Sequence, residues 1–239
     1  MGRLGFRRHL NFPIVIPAKI HNFEYLLYYL NPFAMNTKAL IIVDVQNDFM
    51  PGGALAVKEG DQIVPIINNL QLKFDFIVAT QDWHPADHGS FASNHEGKRV
   101  GEFIDLNGVN QILWPVHCVQ GTFGAEFHKD LEKHHWKEVF QKGTNPRVDS
   151  YSGFFDNNRM GDTGLSSFLK KENVTDVYIC GLATDYCVKF TVLDALEEGF
   201  KTFLVADATK AVNLNPGDYD LAIDEMLRKG ATVVESNFL

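Results

Sequence analysis

The chain has 239 residues, which is enough for one large α/β domain or two small ones. Hydrophobic residues make up 45% and charged residues 22%, an ordinary composition for a globular protein in water. The formal net charge of −8 argues against nucleic acid or an anionic membrane as the main partner.

The first 35 residues differ from the rest of the chain. They carry four basic residues against one acidic residue, and Pro13, Pro17 and Pro32 interrupt their short apolar runs, so no transmembrane span is predicted. We expect residues 1–35 to form a poorly ordered N-terminal extension and residues 36–239 to form the folded domain.

Three cysteines, without any CxxC pair, indicate free thiols in a reducing compartment, which predicts a cytoplasmic protein.

Short apolar runs and helical spacing alternate along residues 36–239. The predicted strands are residues 39–45, 76–80, 138–141, 177–180, 203–206 and 232–234. The predicted helices are residues 61–73 and 165–171, a helix that follows Cys187, and residues 217–228. The alternation favours an α/β fold with three layers, in which a central, mostly parallel six-stranded sheet is covered by helices on both faces.

Residues 85–137 show little regular pattern, apart from a polar helical stretch that contains His134 and His135. An irregular segment of this length inside a compact domain usually serves function.

Asp44, Asp82, Lys142 and Cys187 each lie at or just beyond the end of a predicted strand. Ligands bind at the carboxyl edge of open parallel sheets, so we expect these four residues to meet there. A thiol at a helix N-terminus is favoured as thiolate, and free backbone N–H groups at the same turn can hold an oxyanion. A carboxylate beside the thiol can take up its proton and return it to a leaving amine.

Each of these residues also has a structural interpretation: Cys187 as a core thiol, Asp44 and Asp82 as turn caps, and Lys142 as a surface amine.

Asp82 and His84 are two residues apart, so in an extended segment both side chains point the same way and can share one ion. His117 can complete a set of one carboxylate and two imidazoles, which leaves coordination positions open as in catalytic metal sites. His88 and Ser90 are further candidates. The spacing alone is a weak signal, because most histidines in such a loop bind no metal.

Five motifs, taken together and in this order, resemble the nicotinamidase family of isochorismatase-like hydrolases. They are Asp44-Val-Gln-Asn-Asp-Phe, Gln81-Asp-Trp-His-Pro, Trp114-Pro-Val-His-Cys-Val, Lys142-Gly and Gly181-Leu-Ala-Thr-Asp-Tyr-Cys-Val. The resemblance covers about residues 36–239. It implies an isochorismatase-like fold and the hydrolysis of nicotinamide to nicotinate and ammonia in NAD salvage, with pyrazinamide as a second substrate.

The resemblance also implies roles for individual residues. Cys187 corresponds to the nucleophile that forms a thioester, Asp44 to the general base and acid, and Lys142 to its partner. The backbone N–H groups of Ala183 and Cys187 correspond to the oxyanion hole, and the Leu182–Ala183 peptide bond is expected to be cis.

The same resemblance places a metal beside a ring pocket. Asp82, His84 and His117 correspond to the ligands of one divalent ion, with zinc expected and iron or manganese as alternatives. The residues predicted to line the substrate pocket are Phe49, Trp114, Tyr151 and Leu182.

Two other functions remain open from the sequence. One is an amidohydrolase of the same superfamily that acts on a carbamoyl or ureido substrate, although such relatives generally lack the metal ligands. The other is an inactive relative that serves as a binding partner. The sequence leaves the oligomeric state open, a homo-oligomer included.

Overall fold

The computed structural model describes residues 37–239, so the predicted extension, residues 1–35, lies outside the described residues. The strands are β1 (Thr37–Val43), β2 (Phe76–Asp82), β3 (Phe103–Leu106), β4 (Val109–Ile112), β5 (Glu138–Lys142), β6 (Val174–Leu182), β7 (Lys201–Lys210) and β8 (Thr232–Val234). The α-helices are α1 (Ile63–Gln71), α2 (Leu165–Lys171), α3 (Lys189–Glu197) and α4 (Asp218–Lys229).

Within residues 37–239, six strands form one sheet in the order β5-β2-β1-β6-β7-β8. All five neighbouring pairs are parallel, which confirms the predicted sheet. Because every strand points the same way, the carboxyl ends of β1, β2, β5 and β6 lie along one edge.

Side chains of the central strands alternate between the two faces of the sheet. On one face, Leu40 and Ile42 of β1 pack in a core with Ile63 and Ile67 of α1. On the other face, Ile41 packs in a second core to which α2, α3 and α4 contribute. Strands that are buried on both faces read as continuous apolar runs, which is why the sequence predicted them well.

The segment between β2 and β5 is more regular than the sequence indicated. β3 and β4 pair antiparallel as a separate hairpin, with turn residues Asn107 and Gly108 at positive φ. Half of this hairpin faces solvent, so its apolar pattern is weak. The prediction of a polar helical stretch around His134 and His135 is wrong, because both residues lie in an irregular turn before β5.

The three cysteines are free thiols, as predicted, and all three are buried. Among residues 37–239, every helix is too short or too polar to cross a bilayer.

Candidate active site

Lys142, the last residue of β5, lies at the centre of the site and is buried. Its Nζ lies 2.9 Å from Asp44 Oδ2 and 2.5 Å from Asp82 Oδ1. The same Nζ lies 3.4 Å from Cys187 Sγ and donates to the carbonyl oxygen of Ser150 at 2.9 Å. The four residues predicted at the strand ends therefore do meet at one place.

The parallel register explains this arrangement. Asp82 and Lys142 are directly paired on β2 and β5, so their side chains point to the same face. Asp44 directly follows β1, where its φ of 49° turns the chain away from the sheet.

Gly181 lets the neighbouring strand approach β1 closely. Its φ is 112°, and a Cβ there would lie 2.1 Å from the carbonyl oxygen of Val43. A side chain at this position would push β6, and with it the turn that carries Cys187, away from β1.

Cys187 lies in a single π-helical turn, Thr184–Val188, that leads into α3. The Ala183 carbonyl accepts hydrogen bonds from the N–H groups of Tyr186 and Val188, which holds the turn closed. The Leu182–Ala183 peptide bond is cis, as predicted. Short π turns inside helices often occur at functional sites.

The charge states at rest differ from the thiolate expected from the helix terminus. Burial raises the pKa of the Cys187 thiol well above its usual range, and the Lys142 ammonium offsets this in part. Burial also raises the pKa of Asp44. Burial alone would lower the pKa of Lys142, but the Asp44 and Asp82 carboxylates raise it well above its usual range. The resting site thus combines a neutral thiol with a fixed ammonium.

Asp82, His84 and His117 form a buried cluster in which their ligand atoms lie within 4.8 Å of one another. Asp82 Oδ2 lies 3.5 Å from His84 Nε2 and 3.8 Å from His117 Nε2. Burial would raise the pKa of Asp82, but Lys142 and His84 hold it below its usual range. Burial lowers the pKa of His117 to about 4, so this imidazole is neutral at pH 7.

The backbone fixes the tautomer of both imidazoles. His84 Nδ1 lies 2.9 Å from the carbonyl oxygen of Gly143, and His117 Nδ1 lies 2.8 Å from that of Pro115. A carbonyl only accepts, so each Nδ1 carries a proton and Nε2 is the ring atom that faces Asp82. Burial alone would lower the pKa of His84, but the Asp82 carboxylate raises it. His84 Nε2 is buried and has no hydrogen-bond partner among residues 37–239. This donor set fits a divalent metal ion.

His88 and Ser90 lie beside this cluster. His88 Nδ1 lies 2.7 Å from Ser90 Oγ, so Ser90 contacts His88 directly. His88, His84 and Asp149 form a second group of potential ligands within 4.8 Å. His88 is therefore a further potential ligand beside the cluster, and Ser90 orients its ring.

A small cavity opens over the thiol. It is lined by Phe49, Leu55, Asp82, Trp114, His117, Asp149, Tyr151, Ala183, Tyr186, Cys187 and Val212. Three of the four predicted pocket residues, Phe49, Trp114 and Tyr151, are among them. Leu182 is not among the lining residues, and its side chain is fully buried in the core that contains α1. Leu182 is the last residue of β6, and alternation along the strand turns it to that face.

Comparison with known proteins identifies the family. The Isochorismatase domain family matches residues 38–238. A nicotinamidase from Escherichia coli (strain K12) is 48% identical over 205 residues, which cover 83% of this chain and 95% of that protein. This chain belongs to the nicotinamidase family.

Solved structures of nicotinamidase relatives share the fold. A nicotinamidase/pyrazinamidase from Acinetobacter baumanii matches with a TM-score of 0.83 and 45% identity, covering 86% of this chain and 99% of that one. A pyrazinamidase from Pyrococcus horikoshii, solved in complex with zinc, matches with a TM-score of 0.69 and 43% identity, covering 83% and 99%. These matches confirm the predicted family and the isochorismatase-like α/β fold.

Sequence reasoning missed several residues of this nicotinamidase-like site. Leu55 and Val212 are apolar loop residues without a motif of their own. Tyr186 lies inside the quoted motif beside Cys187, which is a signal that could have identified it. Asp149 lies two residues before Tyr151, and its burial, with 3% exposure, is visible only in the structure.

Proposed function

We propose that this protein hydrolyses nicotinamide to nicotinate and ammonia through a thioester on Cys187. The observation that carries the proposal is the position of Lys142 Nζ, in contact with Asp44, Asp82 and Cys187 at once. Nucleophile, acid–base group and metal ligand thus share one buried site. Membership of the nicotinamidase family supports the choice of substrate.

In the first half of the reaction, Asp44 takes the proton of the Cys187 thiol as sulfur attacks the carboxamide carbon. The carbonyl π electrons move onto oxygen, and the N–H groups of Ala183 and Cys187 stabilise the oxyanion. When the C–N bond breaks, Asp44 returns the proton to nitrogen and ammonia leaves. Lys142 stays protonated and offsets the negative charge that passes between sulfur and carboxylate.

In the second half, Asp44 is again a carboxylate and takes a proton from a water molecule that attacks the thioester carbon. The C–S bond breaks, sulfur takes back the proton through Asp44, and nicotinate leaves as the carboxylic product. The net reaction consumes one water molecule and releases one ammonia.

Asp82, His84 and His117 would hold one divalent ion, for which zinc is the first candidate and iron or manganese are alternatives. When bound, the ion supplies a Lewis-acid contact that holds and orients the pyridine nitrogen. The Pyrococcus horikoshii relative was solved in complex with zinc, which supports a bound metal ion in this chain as well. The orphaned Nε2 of His84 supports it independently.

The aromatic side chains Phe49, Trp114 and Tyr151 line the cavity and fit a flat ring. We extend the proposal to pyrazinamide, because relatives named pyrazinamidases share the fold. We assign the reaction to NAD salvage and the protein to the cytoplasm, which the buried free thiols favour. Residues 36–239 are the proposed catalytic domain, and residues 1–35 remain an extension without a role in the chemistry.

The decisive experiment compares two buried cysteines. Cys187→Ala should abolish ammonia release from nicotinamide, with a loss of at least about 10³-fold because the nucleophile is gone. Cys180→Ala is the matched control, because Cys180 is also a buried thiol but lies within β6, outside the cavity lining. Circular dichroism should show both variants folded. Ammonia is measured with and without a chelator.

Near-normal turnover by Cys187→Ala would overturn the thioester mechanism. A wild type that releases ammonia from a carbamoyl or ureido compound but not from nicotinamide would support the rival amidohydrolase function. A folded, metal-loaded wild type that hydrolyses none of these would indicate an inactive relative.

A further inference from the structure

Gln111, a residue of β4 in the separate hairpin, forms an unusual buried contact with the pocket wall. Its side chain is 1% exposed. Its Nε2 donates to Asp149 Oδ2 at 3.0 Å, to Tyr151 Oη at 3.0 Å and to the Ile112 carbonyl oxygen at 2.8 Å. An amide nitrogen has two hydrogens, so these three acceptors share them.

Two of the acceptors, Asp149 and Tyr151, line the cavity over the catalytic thiol. The Tyr151 hydroxyl also accepts a hydrogen bond from Trp114 Nε1 at 3.1 Å, so the hydroxyl joins both aromatic side chains to Gln111. Tyr151 and Trp114 each pack on Tyr186, with ring centroids 5.5 and 4.9 Å away. The Gln111 amide thus contacts Asp149 and Tyr151 directly and is linked to Trp114 through the Tyr151 hydroxyl, so it orients the side of the cavity that these residues form.

The contact with Asp149 has a second consequence. The Asp149 carboxylate lies within 4.8 Å of ring nitrogens of His84 and His88. It is held in place by the Gln111 amide and by the backbone N–H of Ser150, which donates to Oδ1 at 2.8 Å. Without the amide, Oδ2 loses its side-chain donor and the carboxylate is free to turn towards the imidazoles.

We propose that Gln111 is a positioning residue for the substrate ring: it fixes the Tyr151 hydroxyl and the Asp149 carboxylate so that the pocket has one shape. Gln111 itself does not line the cavity. It acts through side chains that do, and therefore affects binding of the ring more than bond breaking. The inference rests on the proposed nicotinamide hydrolysis.

The test compares two buried glutamines. Gln111→Met keeps the length of the side chain and removes its hydrogen bonds; we expect KM for nicotinamide to rise about tenfold, with kcat changed less than about threefold. Gln71→Met is the matched control, because Gln71 is 3% exposed and its amide also bonds an aromatic side chain, the Trp136 indole, and a backbone carbonyl, that of Glu132. It lies on α1, and its loss should lower the melting temperature without changing KM.

A second variant tests the route through the hydroxyl and does not depend on Gln111→Met folding. Tyr151→Phe keeps the ring and should also raise KM, and the two substitutions together should raise KM by less than the product of the single effects. An unchanged KM in Gln111→Met or in Tyr151→Phe would overturn the inference. The proposed function would still stand in that case, provided that the wild type releases ammonia from nicotinamide. An equal rise in KM in Gln71→Met would also overturn it. A wild type without ammonia release overturns both.

Discussion

Asp44 is held by two partners of different kinds. Lys142 Nζ lies 2.9 Å from Oδ2, and the Thr80 hydroxyl donates to Oδ1 at 2.6 Å. Both contacts favour the ionised carboxylate and lower its pKa, but burial and the nearby Asp82 charge raise it further than they lower it. In the proposed mechanism Asp44 begins as a carboxylate, so activity falls as the pH decreases through its pKa.

Thr80→Val should therefore shift the acid limb of kcat/KM to higher pH. Valine has nearly the shape of threonine but donates no hydrogen bond, so the ionised form of Asp44 loses stabilisation and its pKa rises further. We expect a shift of about half to one pH unit, since one unit corresponds to about 1.4 kcal/mol, the size of one hydrogen bond to a charged group. The measurement is kcat/KM for nicotinamide between pH 4 and pH 9.

Thr202→Val is the control for this shift. Thr202 is also buried and its hydroxyl also makes a hydrogen bond, to the Phe200 carbonyl oxygen at 3.0 Å, but it lies at the start of β7, away from the strand ends that form the site. Its acid limb should match that of the wild type. An unshifted limb in Thr80→Val would show that a group other than Asp44 governs the acid side.

At the scale of the elements, the end of β5 connects the catalytic and metal-binding groups. Lys142 ends the strand, and the next residue, Gly143, has a φ of 64°. A Cβ on Gly143 would lie 2.3 Å from His84 Cε1 and 2.6 Å from His84 Nδ1. Gly143 also accepts, through its carbonyl oxygen, the hydrogen bond that fixes the His84 tautomer. Lys142 therefore contacts the catalytic groups Asp44 and Cys187, and the adjacent Gly143 orients the metal ligand His84.

Gly143→Ala should displace the His84 ring and weaken metal binding by about 10- to 100-fold, the usual effect of disrupting a group that orients a ligand. Zinc content after dialysis against buffered free zinc, determined by elemental analysis, measures this. Gly97→Ala carries the same backbone cost, because Gly97 has a φ of 74°, but no atom of residues 37–239 outside its chain neighbours lies within 4 Å of its Cβ position. Equal zinc content in Gly143→Ala and Gly97→Ala would contradict the steric argument.

The elements that the sequence predicted well are those whose pattern reports burial directly. β1 and β2 are apolar on both faces, and the polar residues that follow them mark the carboxyl edge where Asp44 and Asp82 lie. The β3–β4 hairpin was not predicted, because short half-exposed strands leave no continuous apolar run. Gln111 on this hairpin was missed for a further reason. Its hydrogen bonds reach Asp149 and Tyr151, which lie 38 and 40 positions away along the chain, and no local pattern reports such contacts.

Leu182 shows another limit of prediction. The motif places it next to Ala183, which does line the cavity, but the Leu182 side chain is fully buried in the core that contains α1, and a motif does not report such burial. Likewise, the helix terminus favoured a thiolate at Cys187, whereas burial dominates in the folded site. Desolvation depends on how much of the molecule covers the thiol, and a local motif does not contain that information.

At the scale of the whole described domain, the apolar side chains pack in two cores on opposite faces of one sheet, and the charged groups gather at the carboxyl edge of that sheet. Buried charges are costly unless they are paired, and this edge contains Asp44, Asp82 and Lys142 in contact. The nearby His84 Nε2 is buried without a hydrogen-bond partner in the described part of the chain. A divalent ion would satisfy this nitrogen and further charge-balance the carboxylates, so metal binding and folding stability should be coupled.

Zinc should therefore raise the melting temperature of the intact protein. A ligand that binds the folded state at 100 times its Kd stabilises it by about 2.7 kcal/mol, which for a chain of this size corresponds to roughly 5–10 °C. His84→Ala should lose this shift, because it removes one of three ligands. His134→Ala should keep it, because His134 is an exposed side chain, with 64% exposure, in the turn before β5. The measurement is thermal unfolding of chelator-treated and zinc-loaded samples at fixed protein concentration. Identical melting of the two wild-type samples, or an equal loss of the shift in His134→Ala, would show that His84 does not hold the metal, since an ion bound to His84 makes stability depend on His84 and not on the exposed His134.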